Sequence, residues 1–551
     1  MSREARKAAA AESARTGVMT HRQIMMVLFG LLSGMFLSAL DQSIVGSAMR
    51  TIADDLKGLD LQAWVTTAYL ITSTITTPIY GKLGDLFGRR RLFIFAISVF
   101  VVASVGASFS LSMYELAAWR ALQGVGAGGL FTLALTVMAD IVPPKDRARY
   151  MGMFMAVFGT SSVIGPLVGG LFAGADQILW ISGWRWVFLI NLPIGVLAMF
   201  MVVNFLHVPH IKKHGRIDWW GAVSIIVAVV PLLIVAEQGR DWGWGSTNSI
   251  TAYVLGGVGT IAFILIERAM GNDALLPLHL FKSSAFTFST VIGVIVGVGM
   301  FGGMMTIPLI LQIVYGATPT LSGLLMLPMV IGMMIASIAS GRLTGKTGKY
   351  KRFMVSGTAF MTVAYFYMHT MIYSWSLWQV SLGMVILGLG LGQLMQTLTL
   401  VAQNSVEAKD MGVATSSATF FRQMGGTAGV AIFLSILFTS IKDKADQIKT
   451  GIQAAIMKNP AMMALPRNKG FAQHASDLTS DSSFLKRISP ELAKPIKQAF
   501  SESAVQVFGA AALVVTIAFI LTWFVKEIKL RTKSGVQEQA DAKAAAAASM
   551  H

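Results

Sequence analysis

Fourteen stretches of about twenty mostly apolar residues recur along the chain, each long enough for a helix to cross the roughly 30 Å of bilayer hydrocarbon. They lie near 24–46, 62–81, 92–112, 115–139, 148–174, 185–206, 219–237, 250–267, 284–313, 321–341, 353–373, 378–402, 412–439 and 503–525 of the 551 residues. The alternating pattern of a membrane barrel is absent. Charged residues make up 13% of the chain, where a soluble globular protein carries about 25%. The expected fold is an all-α integral membrane protein. The first run follows Arg3, Arg6, Lys7, Arg15 and Arg22, but it is too long for a signal-peptide core, lacks a small-residue cleavage site and is expected to remain as a span.

Charge placement sets the expected orientation. Counted loop by loop, 28 of the 44 Lys and Arg fall in the N-terminus, the even-numbered loops and the C-terminus, and thirteen fall on the other side, ten of them in one long loop. Basic residues in short loops mark the cytoplasm, so both termini are expected there, in the cell (inner) membrane. The net charge of +17 is thereby read as topology and not as a nucleic-acid patch. The N-terminus, residues 1–23, is expected to be cytoplasmic and disordered, and the C-terminal tail, 526–551, to be cytoplasmic, with Ser534–His551 disordered. The external segment 440–502 has Ile441, Ile448, Ile452 and Ile456 at helical spacing, and two readings stand: an amphipathic helix on the outer surface, or a solvated loop.

The chain repeats itself. Gly81 to Arg91, after the second run, is echoed 260 residues later by Gly341 to Lys349, after the tenth. Gly124, Gly126 and Gly128 in the fourth run are echoed by Gly388, Gly390 and Gly392 in the twelfth. Two six-span halves follow, 24–206 and 284–525, with two inserted spans in 207–268. Such repeats are the architecture of secondary transporters, whose substrate site lies between halves that rock about it.

Ionisable side chains inside a span cost about 2.5–3.5 kcal/mol each, so they mark function. Glu115, Asp140, Asp218, Glu237, Glu267 and Glu407 fall at span ends, within reach of water or headgroups. Asp41 lies well inside the first span, where a carboxyl can be neutral when occluded and ionised when a wet cavity opens. It can carry a proton; the alternative is a tether to a neighbouring helix. Arg120 in the fourth span must find a carboxylate, carbonyl or water partner, and Gln123 shares its helix face by i,i+3 spacing. Arg422 in the thirteenth span is the other deep cation, with coupling and purely structural roles both open. Gly165-Pro166 and Gly169-Gly170 suit a close helix contact or a bend that gates the cavity. Asp85 with Arg89 can latch the halves through a charge pair, and at the repeat position of Asp85 stands Gly345. Opposite these charges the C-terminal half offers Met, Leu, Phe and Gln312.

These residues resemble the fourteen-span drug:proton antiporters of the major facilitator superfamily along nearly the whole chain. Leu40-Asp41-Gln42-Ser43-Ile44-Val45 is similar to the family's first-span motif, departing from it at Gly46 and Arg50. Gly81 to Arg91 resembles the superfamily's loop 2–3 signature, Leu116 to Gly124 the span-four motif associated with proton coupling, and Gly159 to Gly170 the span-five antiporter motif. Trp184 to Pro193 and Phe421 to Gly426 are further similar segments. The resemblance implies the major facilitator fold, with Asp41 as proton or cation acceptor, Arg120 as coupling residue, Asp85 and Arg89 as gate latch and Gly165-Pro166 as the antiporter bend.

The expected function is proton-coupled multidrug efflux of lipophilic, cationic compounds by alternating access. Proton coupling is expected at Asp41 and Arg120, substrate binding at Asp41, Gln123 and Gln312, and gating at Asp85, Arg89, Gly165, Pro166 and Arg422. The alternative is an exporter or flippase of an endogenous amphiphile on the same fold. The expected partners are small lipophilic molecules, protons and membrane lipids, with the protein a monomer and no cofactor beyond the coupling proton. Cys is absent and the eight His show no metal-ligand spacing, so neither a metal nor an enzyme is expected. No Gly-x-x-x-x-Gly-Lys-Ser/Thr loop for ATP-driven transport occurs.

Overall fold

The computed structural model describes residues 20–58, 61–206, 216–460, 488–538 and 541. The chain begins with α1 (His21–Asp55), α2 (Gln62–Phe87), α3 (Arg89–Ser108), α4 (Met113–Ile141) and α5 (Pro144–Ala173). After a hairpin of β1 (Gln177–Ile178) and β2 (Ile181–Ser182) come the short α6 (Trp186–Leu189) and α7 (Asn191–Phe205). A pair follows, α8 (Trp219–Trp242) and α9 (Thr247–Met270). The remainder is α10 (Ser284–Ile313), α11 (Pro319–Leu325), α12 (Leu327–Thr347), α13 (Lys351–His369), α14 (Leu377–Asn404), α15 (Met411–Asp443), α16 (Ala445–Lys458) and α17 (Pro490–Phe524).

Twelve described helices are long and apolar enough to cross a membrane, against an expected fourteen. The runs near 62–81 and 353–373 are helices, α2 and α13, but fall below that apolarity. In α2 the cause is a run of hydroxyls. Thr72 and Thr76 return their O–H to the carbonyls of Ala68 and Thr72, so these polar groups are satisfied within their own helix and the helix persists.

The repeat has a structural basis in its glycines. Gly88 and Gly348 both adopt positive φ, 92° and 72°, and both end a helix, α2 and α12, by donating to a carbonyl four residues back. A Cβ on Gly124 or Gly128 would clash with the carbonyls of Tyr69 and Ser73 on α2, while one on Gly126 would meet Ala96 on α3. Gly388 and Gly392 stand likewise against Met329 and Met333 on α12, and Gly390 against Gly357 on α13. Missing side chains thus set α4 against α2 and α3, and α14 against α12 and α13.

The pair α8 and α9 pack on each other, and α8 lies against α2 and α15. Ile225 and Leu233 are buried with Ile71, Ile75 and Phe420, so the pair covers the seam between the halves on one side. Its outward face, with Val254, Val258, Ile261 and Leu265, is exposed and apolar, which suits contact with lipid tails. Asp218 and Glu267 are buried caps and not water-accessible span ends: Asp218 accepts from the N–H of Gly221 at 2.6 Å and Glu267 from that of Leu276 at 2.7 Å.

The 440–502 segment begins and ends as helix. α15 runs to Asp443 and α17 starts at Pro490. Ile448 of α16 is buried with Leu492 and Ile496 of α17, with Ile452 and Ile456 packed alongside. The isoleucine face is therefore covered by protein, not laid on the outer surface or solvated; residues 461–487 lie outside the described residues. Residues 1–19 do too. The C-terminal tail is fastened to the bundle at its start, where the Ile528 N–H donates to Tyr350 Oη at 2.6 Å and Asn404 Nδ2 to the Lys529 carbonyl at 3.2 Å; of the part expected to be disordered, residues 535–538 are helical and Glu538 pairs with Arg531 at 3.1 Å.

Candidate functional site

Asp41 lies on α1, and the Gly seam of α5 explains why it faces inward. A Cβ on Gly165 would clash with Ser43, and one on Gly169 with Ser47 and the Ile44 carbonyl. These contacts draw α1 onto α5 and turn Asp41 toward α4 and α7. On α4, Ser112 caps the first turn by accepting from the Glu115 N–H, and Arg120 and Gln123 project from one face of the helix.

The cluster is sealed from solvent. Asp41 Oδ2 accepts from Arg120 Nη1 at 2.5 Å, and Oδ1 accepts from Gln123 Nε2 at 2.9 Å and Asn191 Nδ2 at 2.7 Å. Arg120 Nη1 also donates to Gln123 Oε1 at 2.7 Å. The close approach that Gly124 permits sets the Tyr69 ring under the guanidinium, 4.1 Å from its centroid, a cation–π contact that shields the pair further. Tyr69 is held in turn by Ser38 at 2.9 Å. Asp41, Gln123 and Asn191 are 0% exposed and Arg120 1%. Removing water strengthens the ion pair but makes either charge costly alone. The cluster thereby fastens α1 to α4 through the ion pair and to α7 through Asn191.

Sequence reasoning found Asp41, Arg120 and Gln123 and missed Asn191, Tyr69 and Ser104. Asn191 opens α7, and its Nδ2 also reaches Ser104 Oγ at 2.8 Å, which donates to the Phe188 carbonyl at 2.9 Å. A lone Asn at the head of an apolar run was the available signal. Gln312 is half-buried near the C-terminal end of α10, away from this cluster.

A second cluster occupies the end of the bundle where α2 meets α3. Arg89 pairs with Asp85, donates through Nε to Asp140 Oδ2 at 2.9 Å and reaches the Gly81 carbonyl at 3.4 Å. Asp140, expected within reach of water, is a buried third member. The α15 backbone rests on this group, since a Cβ at Gly412 would clash with both Arg89 and Asp85. At the repeat position the contact is bare backbone: a Cβ on Gly345 would lie 2.7 Å from the Lys145 carbonyl. Arg147, on α5, completes the closure. It donates to the carbonyls of Ala139 and Val142 at 2.6 and 2.8 Å and to Gln403 Oε1 at 2.7 Å, tying the N-terminal half to α14.

Pro166 meets α11, where a Cβ on Gly323 would lie 2.8 Å from the ring, and α5 continues through the proline as one helix. Gly165 and Pro166 therefore sit between α1 and α11, one on each side. Arg422, on α15, is 5% exposed and donates to Thr399 Oγ1 at 3.4 Å. It lines a narrow cavity on the seam with four Met, three Phe, a Leu and Thr399. A second narrow cavity shares Met151 and Thr399 with the first and is lined also by Arg147, Gln396 and Gln403. Gln423, beside Arg422, accepts from Thr77 Oγ1 across the seam at 3.2 Å.

The sequence profile of the Major Facilitator Superfamily matches residues 31–430. The chain is 34% identical over 539 residues to Multidrug transporter protein MdtP of Bacillus subtilis (strain 168), covering 95% of this chain and 96% of that one. It is 31% identical over 516 residues to Multidrug resistance protein 3 of the same organism, covering 94% and 98%. The solved proton:xylose symporter XylE bound to 6-bromo-6-deoxy-D-glucose has the same fold, with a TM-score of 0.53 at 14% identity over 95% of this chain and 99% of that one.

Proposed function

The chain belongs to the major facilitator superfamily and is a multi-pass membrane transporter, not an enzyme; from that premise we propose that it exports lipophilic compounds in exchange for protons. The observation that carries this reading is the sealed cluster of Asp41, Arg120, Gln123 and Asn191. Its carboxylate can be reached by a proton only if α1, α4 and α7 loosen, so protonation and conformation are linked.

The basic loops support a cell (inner) membrane protein with both termini and the Arg89 end in the cytoplasm. With Arg89 held by Asp85 and Asp140, and Arg147 by Gln403, the seam is closed toward the cytoplasm. A proton arriving from outside neutralises Asp41 and frees Arg120. The loosened helices let the halves rock, the Arg89 group parts from α15, and the seam cavity opens inward. Substrate entering from the cytoplasm favours deprotonation, the cluster re-forms, and the seam closes behind the substrate. Exchange is indirect, because Asp41 is engaged by Arg120, Gln123 and Asn191 and a cationic substrate would have to displace Arg120 to reach it. Each net charge crossing a 100 mV potential contributes about 2.3 kcal/mol.

In everted vesicles with an imposed proton gradient, Asp41→Asn is expected to abolish substrate-induced proton movement. Unchanged coupling in that variant, at equal protein level, contradicts the reading.

A further inference from the structure

We infer that the seam beside Arg422, closed in this structure to a cavity of about 10 Å³, opens into a binding site for lipophilic organic anions, in which the guanidinium takes a carboxylate or sulfonate and the Met and Phe walls take the apolar body. The inference rests on the reading of the seam as the transport path and names the substrate class that path accepts.

Two buried guanidiniums face the seam and are held differently. Arg147 is satisfied by the carbonyls of Ala139 and Val142 and by Gln403. Arg422 is 5% exposed, yet among the described residues its hydrogen bonding is one long contact to the neutral Thr399. A guanidinium has five N–H donors in a planar fork, so most of this one's capacity is turned to the cavity it lines. A charge in such a place is expensive, and the cost is relieved by an anion that accepts two parallel bonds.

The cavity walls argue the same way. Neither seam cavity has an Asp or Glu in its lining, while each has an Arg. The cavities adjoin at Met151 and Thr399, so a ligand moving from Arg147 toward Arg422 passes from one cation to the next without meeting a carboxylate. The acids of the N-terminal half are committed elsewhere, Asp41 to Arg120 and Asp85 and Asp140 to Arg89. A field of one sign in a low-dielectric cleft selects ligands of the other. The remaining walls are thioether and aromatic, which adapt to apolar bodies of varied shape.

The test uses the full chain in phosphatidylcholine nanodiscs, without gradients, and three naphthyl probes with one alkyl tail that differ in the head: sulfonate, neutral sulfonamide and trimethylammonium. The wild type is expected to bind the sulfonate about tenfold or more tighter than the other two, the range of a charge-assisted hydrogen bond. Arg422→Gln should remove that preference and leave the sulfonamide affinity unchanged, while Arg422→Lys should retain part of it and serves if the Gln variant does not fold. Equal binding of the three probes by the wild type, or a preference that survives Arg422→Gln, overturns the inference. Displacement of the sulfonate by phosphatidylglycerol alone, with no displacement by soluble naphthoate, assigns the site to a lipid headgroup and also overturns it. Equilibrium binding needs no proton exchange, so a wild type that shows this preference but moves no protons would refute the antiport reading and leave the inference standing.

Discussion

The N-terminal and C-terminal halves share a glycine scaffold and hold their deep arginines in opposite ways. Gly165 and Gly169 close α5 onto α1 at Ser43 and Ser47; Gly425 and Gly429, each 260 residues further on, close α15 onto α10 at Val294 and Val298. Inside the first frame Arg120 is paired with Asp41, stacked on Tyr69 and sealed. Inside the second, Arg422 has Thr399 at 3.4 Å and a cavity before it. The lesson is a division of labour. Packing is set by backbone approach and tolerates duplication, whereas the charges set into it do not repeat: Arg120 is locked to a carboxylate and Arg422 to a long neutral contact.

The sharpest way to break that contrast is to remove each arginine. Arg120→Leu leaves Asp41 buried without its cation and is expected to cost about 3–5 kcal/mol; Arg422→Leu removes an unpaired buried charge and should be neutral or stabilising. Thermal unfolding of the two purified variants in nanodiscs measures this, and equal losses would erase the distinction. Next in size, Asn191→Leu withdraws one donor from Asp41 and is expected to cost about 1.5–3 kcal/mol, with substrate-induced proton movement becoming weaker at a given pH. A leucine at Asn204, which donates to its own helix at Phe200, is the control and should do little.

Gly165→Leu and Gly425→Leu test the shared scaffold. Overfilling either close contact should cost about 1–3 kcal/mol, by similar amounts in both halves, read as yield and melting temperature; a large difference would mean that the two seams are not equivalent. The smallest effect is expected at the seam itself. Thr77→Val removes the hydroxyl that donates to Gln423 and should cost about 0.5–1.5 kcal/mol, visible as faster labelling of a single cysteine placed in the seam.

Much of this was legible in the sequence. Long apolar runs announced the helices, the Gly81 and Gly341 segments announced the duplication, and the cost of charge in lipid singled out Asp41, Arg120 and Arg422. What the sequence withheld was rotation and partnership. Asn191 is cheap to bury, so the charge audit passed over it, and no spacing rule joins it to Asp41 150 residues away. Asp140, Asp218 and Glu267 fell at span ends and were assigned to water, although each folds back onto an arginine or a backbone N–H. Arg147 entered only as a topological charge, because its bond to Gln403 spans 256 residues. The echo of Gly165 and Gly169 at Gly425 and Gly429 was within reach at the offset already found, and became visible only when both pairs met a neighbouring helix. Arg422 was read as a gate or a structural residue, since emptiness in front of a side chain leaves no trace in sequence.

Proton release on substrate binding by the purified protein tests the central claim most directly. A weakly buffered solution with a pH dye, titrated with a transported substrate, should show protons leaving the wild type as the Asp41–Arg120 pair re-forms. Asp41→Asn should bind the same substrate and release none. Release of equal size from Asp41→Asn would contradict the assignment of coupling to that carboxylate.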